Sequence, residues 1–262
     1  MDIFNKVNVK YRFLVLIIFP FLIHSQQESF LTNYRLQMSL INPAYAGSEA
    51  MNMIALTSRN QWVSLENSPK TQVMTFSSDR GKNVGLGLSF IANNFFVERN
   101  TASYIDFSYK LNFSSETALY LGLKAGATFY KENLLGLTSS SISIDPAQGI
   151  FSRVNPNLGI GMLIKSPVFW FSFSVPRLFN SGGNSEFSIT STDRVHTYFG
   201  TGVKLKINDS FLLKPSILLR TVSDLSTTAD FLALFSYKNT FDVGASYRTN
   251  NSLGLISYFS LK

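Results

Sequence analysis

Catalytic sites are built from a small set of side chains held close together, and the most reactive members of that set are scarce in this chain. The 262-residue sequence holds two histidines, His24 and His196, and no cysteine. A histidine metal cluster, a thiolate metal site and a disulfide are thereby excluded. One histidine still permits a serine hydrolase, in which a serine attacks an acyl carbon, His196 takes its proton and a polar group orients the ring. A hydrolase of that kind at the rim of a membrane barrel is the catalytic alternative. More simply, His196 stands between Val195 and Thr197 on the polar face of a strand and is an ordinary inward residue. The pairs Gly85-Leu86-Gly87 and Gly159-Ile160-Gly161 imitate nucleotide loops, but they sit inside alternating strands with no helix after them. Glycine at such positions relieves crowding or permits curvature. The expectation is no catalytic residue, no cofactor and no metal.

The other available chemistry is electrostatic. The formal net charge is +7, part of it from Lys6, Lys10 and Arg12 less Asp2 near the start. Farther along, Lys110, Lys124, Lys165, Lys204, Lys206, Lys214, Arg220, Lys238 and Arg248 fall at polar positions of successive segments, with Asp106, Asp230 and Asp242 among them. A contiguous block of cations would suit nucleic acid, whereas cations dispersed along strands do not, so no nucleic-acid partner is expected. If these faces line a lumen, it is net basic, which suits an anion-preferring channel or a docking cavity for an acidic segment. The plainer alternative is that the charges pair with one another and with the N-terminal segment.

The elements that must position these residues are strands. Ser252 to Lys262 alternates Leu253, Leu255, Phe259 and Leu261 with mostly small or polar residues, and the same two-residue period recurs in about twelve segments of about ten residues each. They run over 51–62, 70–79, 83–93, 99–113, 116–131, 157–166, 168–176, 194–207, 210–221, 227–238, 240–249 and 252–261. Ile105, Phe107, Tyr109 and Leu111 share one face, opposite Tyr104, Asp106, Ser108 and Lys110. The expected fold is all-β, a transmembrane antiparallel β-barrel of about 12 strands (about 12–14) with a short N-terminal rim or plug segment. A soluble β-sandwich would alternate as well. Strand length and the aromatics near strand ends, among them Phe95, Phe113, Tyr130 and Tyr258, favour the membrane. Short connections rich in Asn, Asp and Ser suit tight hairpins, and the long ones, 132–156 and 177–193, suit outer loops.

The first residues read as a secretory signal, because Lys6, Lys10 and Arg12 precede an apolar run over 13–23 that is shorter than the roughly 20 residues of a spanning helix. The expected division is a signal peptide over 1–26, an N-terminal segment over 27–49 and a barrel over 50–262. The expected location is the bacterial outer membrane.

Within the N-terminal segment, Leu40-Ile41-Asn42-Pro43-Ala44-Tyr45-Ala46-Gly47-Ser48 is a proline- and glycine-punctuated turn, and the first strand closes with Arg59-Asn60-Gln61-Trp62. Together with Asn155-Pro156-Asn157-Leu158-Gly159-Ile160-Gly161, these elements resemble the PorP/SprF family of outer-membrane proteins over essentially the whole mature chain. The final Lys262 departs from the aromatic common at barrel ends.

The resemblance implies a non-catalytic part in type IX secretion and gliding, helping to export or attach cargo such as a large adhesin. It implies outer-membrane lipid, the type IX translocon, periplasmic ring proteins and a secreted cargo with a C-terminal sorting domain as partners. Asn42, Pro43, Ala44, Tyr45, Gly47, Arg59, Gln61 and Trp62 would then be either a latch that braces the barrel or a contact for cargo or translocon. The alternative function is a general anion-preferring porin.

Overall fold

Two-residue alternation becomes backbone pairing in one large antiparallel sheet. In the computed structural model the described residues are 34–49, 51–62, 64–65, 67–134, 149–179, 195–222, 226–249 and 252–260. The expected signal peptide and most of the two longest loops lie outside them. Residues 32–262 cluster as one compact unit.

A 3-10 segment, Tyr34–Leu40, and a 3-10 turn, Pro43–Tyr45, precede the strands. The strands are β1 (Met53–Asn60), β2 (Lys70–Asp79), β3 (Val84–Phe95), β4 (Glu98–Asn112), β5 (Ala118–Asn133), β6 (Ile150–Lys165) and β7 (Phe169–Arg177), then β8 (His196–Val203), β9 (Leu205–Lys206), β10 (Phe211–Val222), β11 (Thr228–Tyr237), β12 (Phe241–Arg248) and β13 (Ser252–Phe259). Each pairs with the next in sequence, except that β8 pairs with β10 and the two-residue β9 lies alongside β10. Among the described residues no ladder joins β1 to β13.

The sheet nevertheless curls round the N-terminal segment. Tyr34 feels the charges of Asp230 on β11 and Tyr258 on β13, while Gln37, three residues on, bonds to Ala55 and Thr57 of β1. One short segment thus reaches both ends of the sheet.

Burial on the two faces is inverted relative to a soluble protein. Ile105, Phe107, Tyr109, Leu121 and Leu123 are exposed on the outer face, while Asp106, Ser108 and Lys124 are buried on the inner one. A continuous apolar exterior of this extent suits hydrocarbon, not water. No helix among the described residues is long and apolar enough to cross a membrane.

Turn chemistry sets one end. Lys238 and Asn239 both have positive φ (49° and 53°), as do Lys82 and Asn83 (51° and 65°), the left-handed central pair of tight β-turns, closed by the Thr240 N–H to the Tyr237 carbonyl and the Val84 N–H to the Gly81 carbonyl. With the β4–β5, β6–β7 and β8–β10 connections these form the short-turn end. The opposite end carries the long loops, but not only long ones: β3 and β4 are joined there through Phe96 and Val97 alone.

The largest departure from the expected strands is β6, which begins at Ile150 where the sequence reading placed its start at 157. Pro156, read as the last residue of the long loop before the strand, lies well inside the strand, opposite Ala127. Proline survives there because β7 pairs with β6 only from Ile160 onward, which leaves the earlier part of β6 with a single partner and no demand for a second set of N–H donors.

Candidate functional site

The Asn42 turn folds as its residue types dictate. Asn42 is extended (φ −143°, ψ 112°) and its side chain accepts from the Ala44 N–H at 2.9 Å, a helix cap, while Pro43 takes the first position, where a missing N–H costs nothing. Asn42 is fully buried, 0 % exposed, so the rest of its amide needs partners. Its Nδ2 donates to the Met162 carbonyl at 2.9 Å and to Ser172 Oγ at 2.8 Å.

Neighbouring backbone groups are held in the same way. Ser174 Oγ donates to the Ile41 carbonyl at 2.6 Å, Ser108 Oγ to the Ala46 carbonyl at 2.5 Å, and the Gly47 N–H to Ser77 Oγ at 2.8 Å. Lysines close the segment from either side: Lys124 Nζ donates to the Ser39 carbonyl and Lys165 Nζ to the Ser48 carbonyl, both at 3.0 Å. Short inward side chains thus replace the strand partners that this irregular backbone lacks.

Close approach explains the glycines. A Cβ on Gly161 would collide with the Asn42 side chain and Pro43, one on Gly122 with the Pro43–Ala44 backbone, and one on Gly85 with the Ala46 carbonyl. Gly47 sits at φ +68°, and a Cβ there would meet the Cα of Gly85 at 2.7 Å. The turn therefore lies in a cradle that only residues without a side chain leave open. Ala44 packs on Ala118, Tyr120 and Leu163, and the Tyr45 ring meets Trp170 edge-on at a centroid distance of 6.3 Å.

The turn's tyrosines lie outside the spanning strands, and their acidity reflects that burial. Desolvation, the largest cause, pushes the Tyr34 hydroxyl up to about 12 and raises Tyr45 as well, so both stay neutral at ordinary pH.

Most of the cations read as lumenal have a carboxylate. Lys124 meets Asp106 at 2.6 Å with both side chains buried, Lys165 meets Glu49 at 2.6 Å, Lys214 meets Asp242 at 3.0 Å and Arg248 meets Asp230 at 2.5 Å. Lys110 lies 6.0 Å from the centre of the Tyr120 ring, and Arg220 is buried on β10. Lys206 ends the two-residue β9 beside the turn into β10: its side chain is 66 % exposed and pairs with Asp209. Lys204, at the break between β8 and β9, lines a cavity with Arg35.

The two halves of the sequence motif are not brought together. Arg59 is half-buried on the inner face of β1, Gln61 donates its N–H to the Pro69 carbonyl at 3.0 Å, and Trp62, at φ 50°, is 64 % exposed. They lie at the long-loop end of β1, while the Asn42 turn sits near the short turns.

His196 faces inward, with Nδ1 3.5 Å from Tyr198 Oη, and the described residues hold no group of three or more metal-ligating side chains.

Sequence reasoning missed Ser77, Ser108, Ser172 and Ser174 and the purpose of the glycines. The signal was available as a run of small inward residues across β2 to β7, opposite a turn rich in exposed backbone groups.

No match was found among curated proteins or among solved structures. The family model for type IX secretion system membrane proteins of the PorP/SprF type matches residues 23–262, a span that takes in the cradled turn and all thirteen strands, and the chain belongs to that family.

Proposed function

We propose that this chain is a non-catalytic outer-membrane component of the type IX secretion and gliding machinery that helps to export, or attach at the cell surface, a partner cargo such as a large adhesin. The observation that carries this reading is the seated turn. A general porin keeps an aqueous channel; here the inner space near the short turns holds bonded backbone, and Lys124, Lys165, Lys214 and Arg248 each have a carboxylate. A filled wall has its two rims to offer. A cargo C-terminal sorting domain, delivered by the type IX translocon, engages the long-loop rim, where Arg59, Gln61 and exposed Trp62 stand. Periplasmic ring proteins meet the short-turn rim, and the apolar strand faces meet outer-membrane lipid.

The test is a deletion strain in which the candidate cargo is followed in the medium and on the cell surface. Loss of surface attachment, restored by the intact gene and poorly by Arg59→Ala/Trp62→Ala, is expected. Normal export and retention would sink the proposal. In planar bilayers the purified protein is expected to be silent, and steady anion-selective conductance would return the porin reading.

A further inference from the structure

At the short-turn end, between the N-terminal segment and the wall, lies a cavity of about 250 Å³. Four cations line it, Arg35, Lys165, Lys204 and Lys214, against one carboxylate, Glu49. Its floor is apolar, formed by Tyr45, Trp170 and Met38. A second cavity of about 240 Å³ shares Lys165, Ser166 and Lys204 with it and adds Lys110 and Glu116, so the two form one basic vestibule.

Pairing within the fold does not exhaust these charges. Lys165 is met by Glu49 and Lys214 by Asp242, but Arg35 and Lys204 have no anionic partner among the described residues. Lys204 stands where the strand breaks, its N–H donating to the Val168 carbonyl at 2.7 Å. Partial burial, followed by Lys165, Lys214 and Arg35, holds its ammonium below the ordinary lysine range, with Glu49 the one charge acting the other way.

We propose that this vestibule docks a carboxylate-bearing segment of a partner chain on the short-turn side, seating an aspartate or glutamate between Arg35 and Lys204 and the adjacent apolar side chain on Trp170. Size selects a segment over a domain: at roughly 30 Å³ per water, the cavity holds one or two side chains. The floor selects a peptide over a small anion, because an inorganic ion would leave Tyr45 and Trp170 wet. Unpaired cations in a partly desolvated recess gain most from a carboxylate that brings its own apolar cover. The proposal is independent of the cargo and of the long-loop rim.

The chain has two tryptophans, so a Trp62→Phe protein in lipid nanodiscs carries Trp170 as its single reporter. It is titrated with a capped hexapeptide of alternating leucine and aspartate, with the leucine–lysine counterpart and with inorganic phosphate. We expect a saturable shift of Trp170 emission with the acidic peptide, weakened by salt, and a loss of about tenfold or more in affinity in Arg35→Gln/Lys204→Gln. That pair leaves every anchoring bond of the segment in place, and its folding is checked by heat-modifiable gel mobility; Lys204→Gln alone serves if the pair fails to fold. No saturable shift, equal binding of the lysine peptide, unchanged affinity in the variant, or phosphate binding as tightly as the peptide would each overturn the proposal.

Discussion

Asn42 serves four partners with one amide, the Ala44 N–H, the Met162 and Phe173 carbonyls and Ser172 Oγ, so its loss is felt in the turn and on two strands. Asn42→Ala leaves the Ala44 N–H and the Met162 carbonyl without their partner in a buried site, and we expect a cost of about 1–3 kcal/mol, read as a lower thermal midpoint in detergent. The Lys124–Asp106 pair tests burial of charge. Either residue changed alone, as Asp106→Asn or Lys124→Met, strands a charge inside the wall and is expected to cost about 3–5 kcal/mol, while the double change recovers most of it. Alkali tests the tyrosines. Tyr34 ionises at about 12 when folded against an ordinary 10.0; the neutral form is therefore favoured in the folded chain, and that contribution, whole below pH 10, falls as pH rises toward 12. The loss is about 2–3 kcal/mol, visible as release of the N-terminal segment to protease. Tyr45 adds to it, so Tyr34→Phe shrinks the alkaline loss without abolishing it.

At the scale of elements, the cradle predicts what glycine does. Gly161→Val on β6 pushes a side chain into Asn42 and Pro43, and the expected result is a displaced turn in a wall that still folds: residues 34–49 become protease-sensitive and the silent protein conducts in planar bilayers. Gly81→Ala, with nothing near its Cβ, strains only its own backbone and leaves conductance silent. The strands themselves were legible because alternation is a local property; 70–79 was read to the residue, and the faces of β4 were assigned correctly. What was not legible depended on neighbours. Pro156 reads as a boundary in isolation and is tolerated inside β6 because β7 stops short of it. Gly85 and Gly161 read as relief of crowding, and what crowds them is a turn more than thirty residues earlier in the chain, whereas Gly159 makes room for Pro176 of β7. The motif looked like one site because Asn42 and Trp62 are close in sequence, but β1 carries the chain from one rim to the other between them.

For the molecule as a whole, the two edge strands carry the sharpest demand. Leu253 and Leu255 on β13 and Leu56 on β1 are 77 %, 88 % and 74 % exposed, and in hydrocarbon the unpaired backbone of both edges would be costly. The expected resolution is pairing of β1 with β13 in the bilayer. The sequence has no cysteine, so crosslinks report only what is introduced: Ile256→Cys combined in turn with a cysteine at each position 53–60 should oxidise at one register in membranes and at none if the seam stays apart. The start of β1 and the end of β13 both lie at the short-turn end, beside the Asn42 turn. Asn42 is separated by 120 positions from Met162 and by 130 from Ser172, so its bonds close very long loops and cannot form until β6 and β7 exist. The segment that leaves the ribosome ahead of the wall therefore waits for strands made more than a hundred residues later. The cradle of the Asn42 turn is complete only once β7 is in place, and seating of the turn reports that this part of the wall has formed.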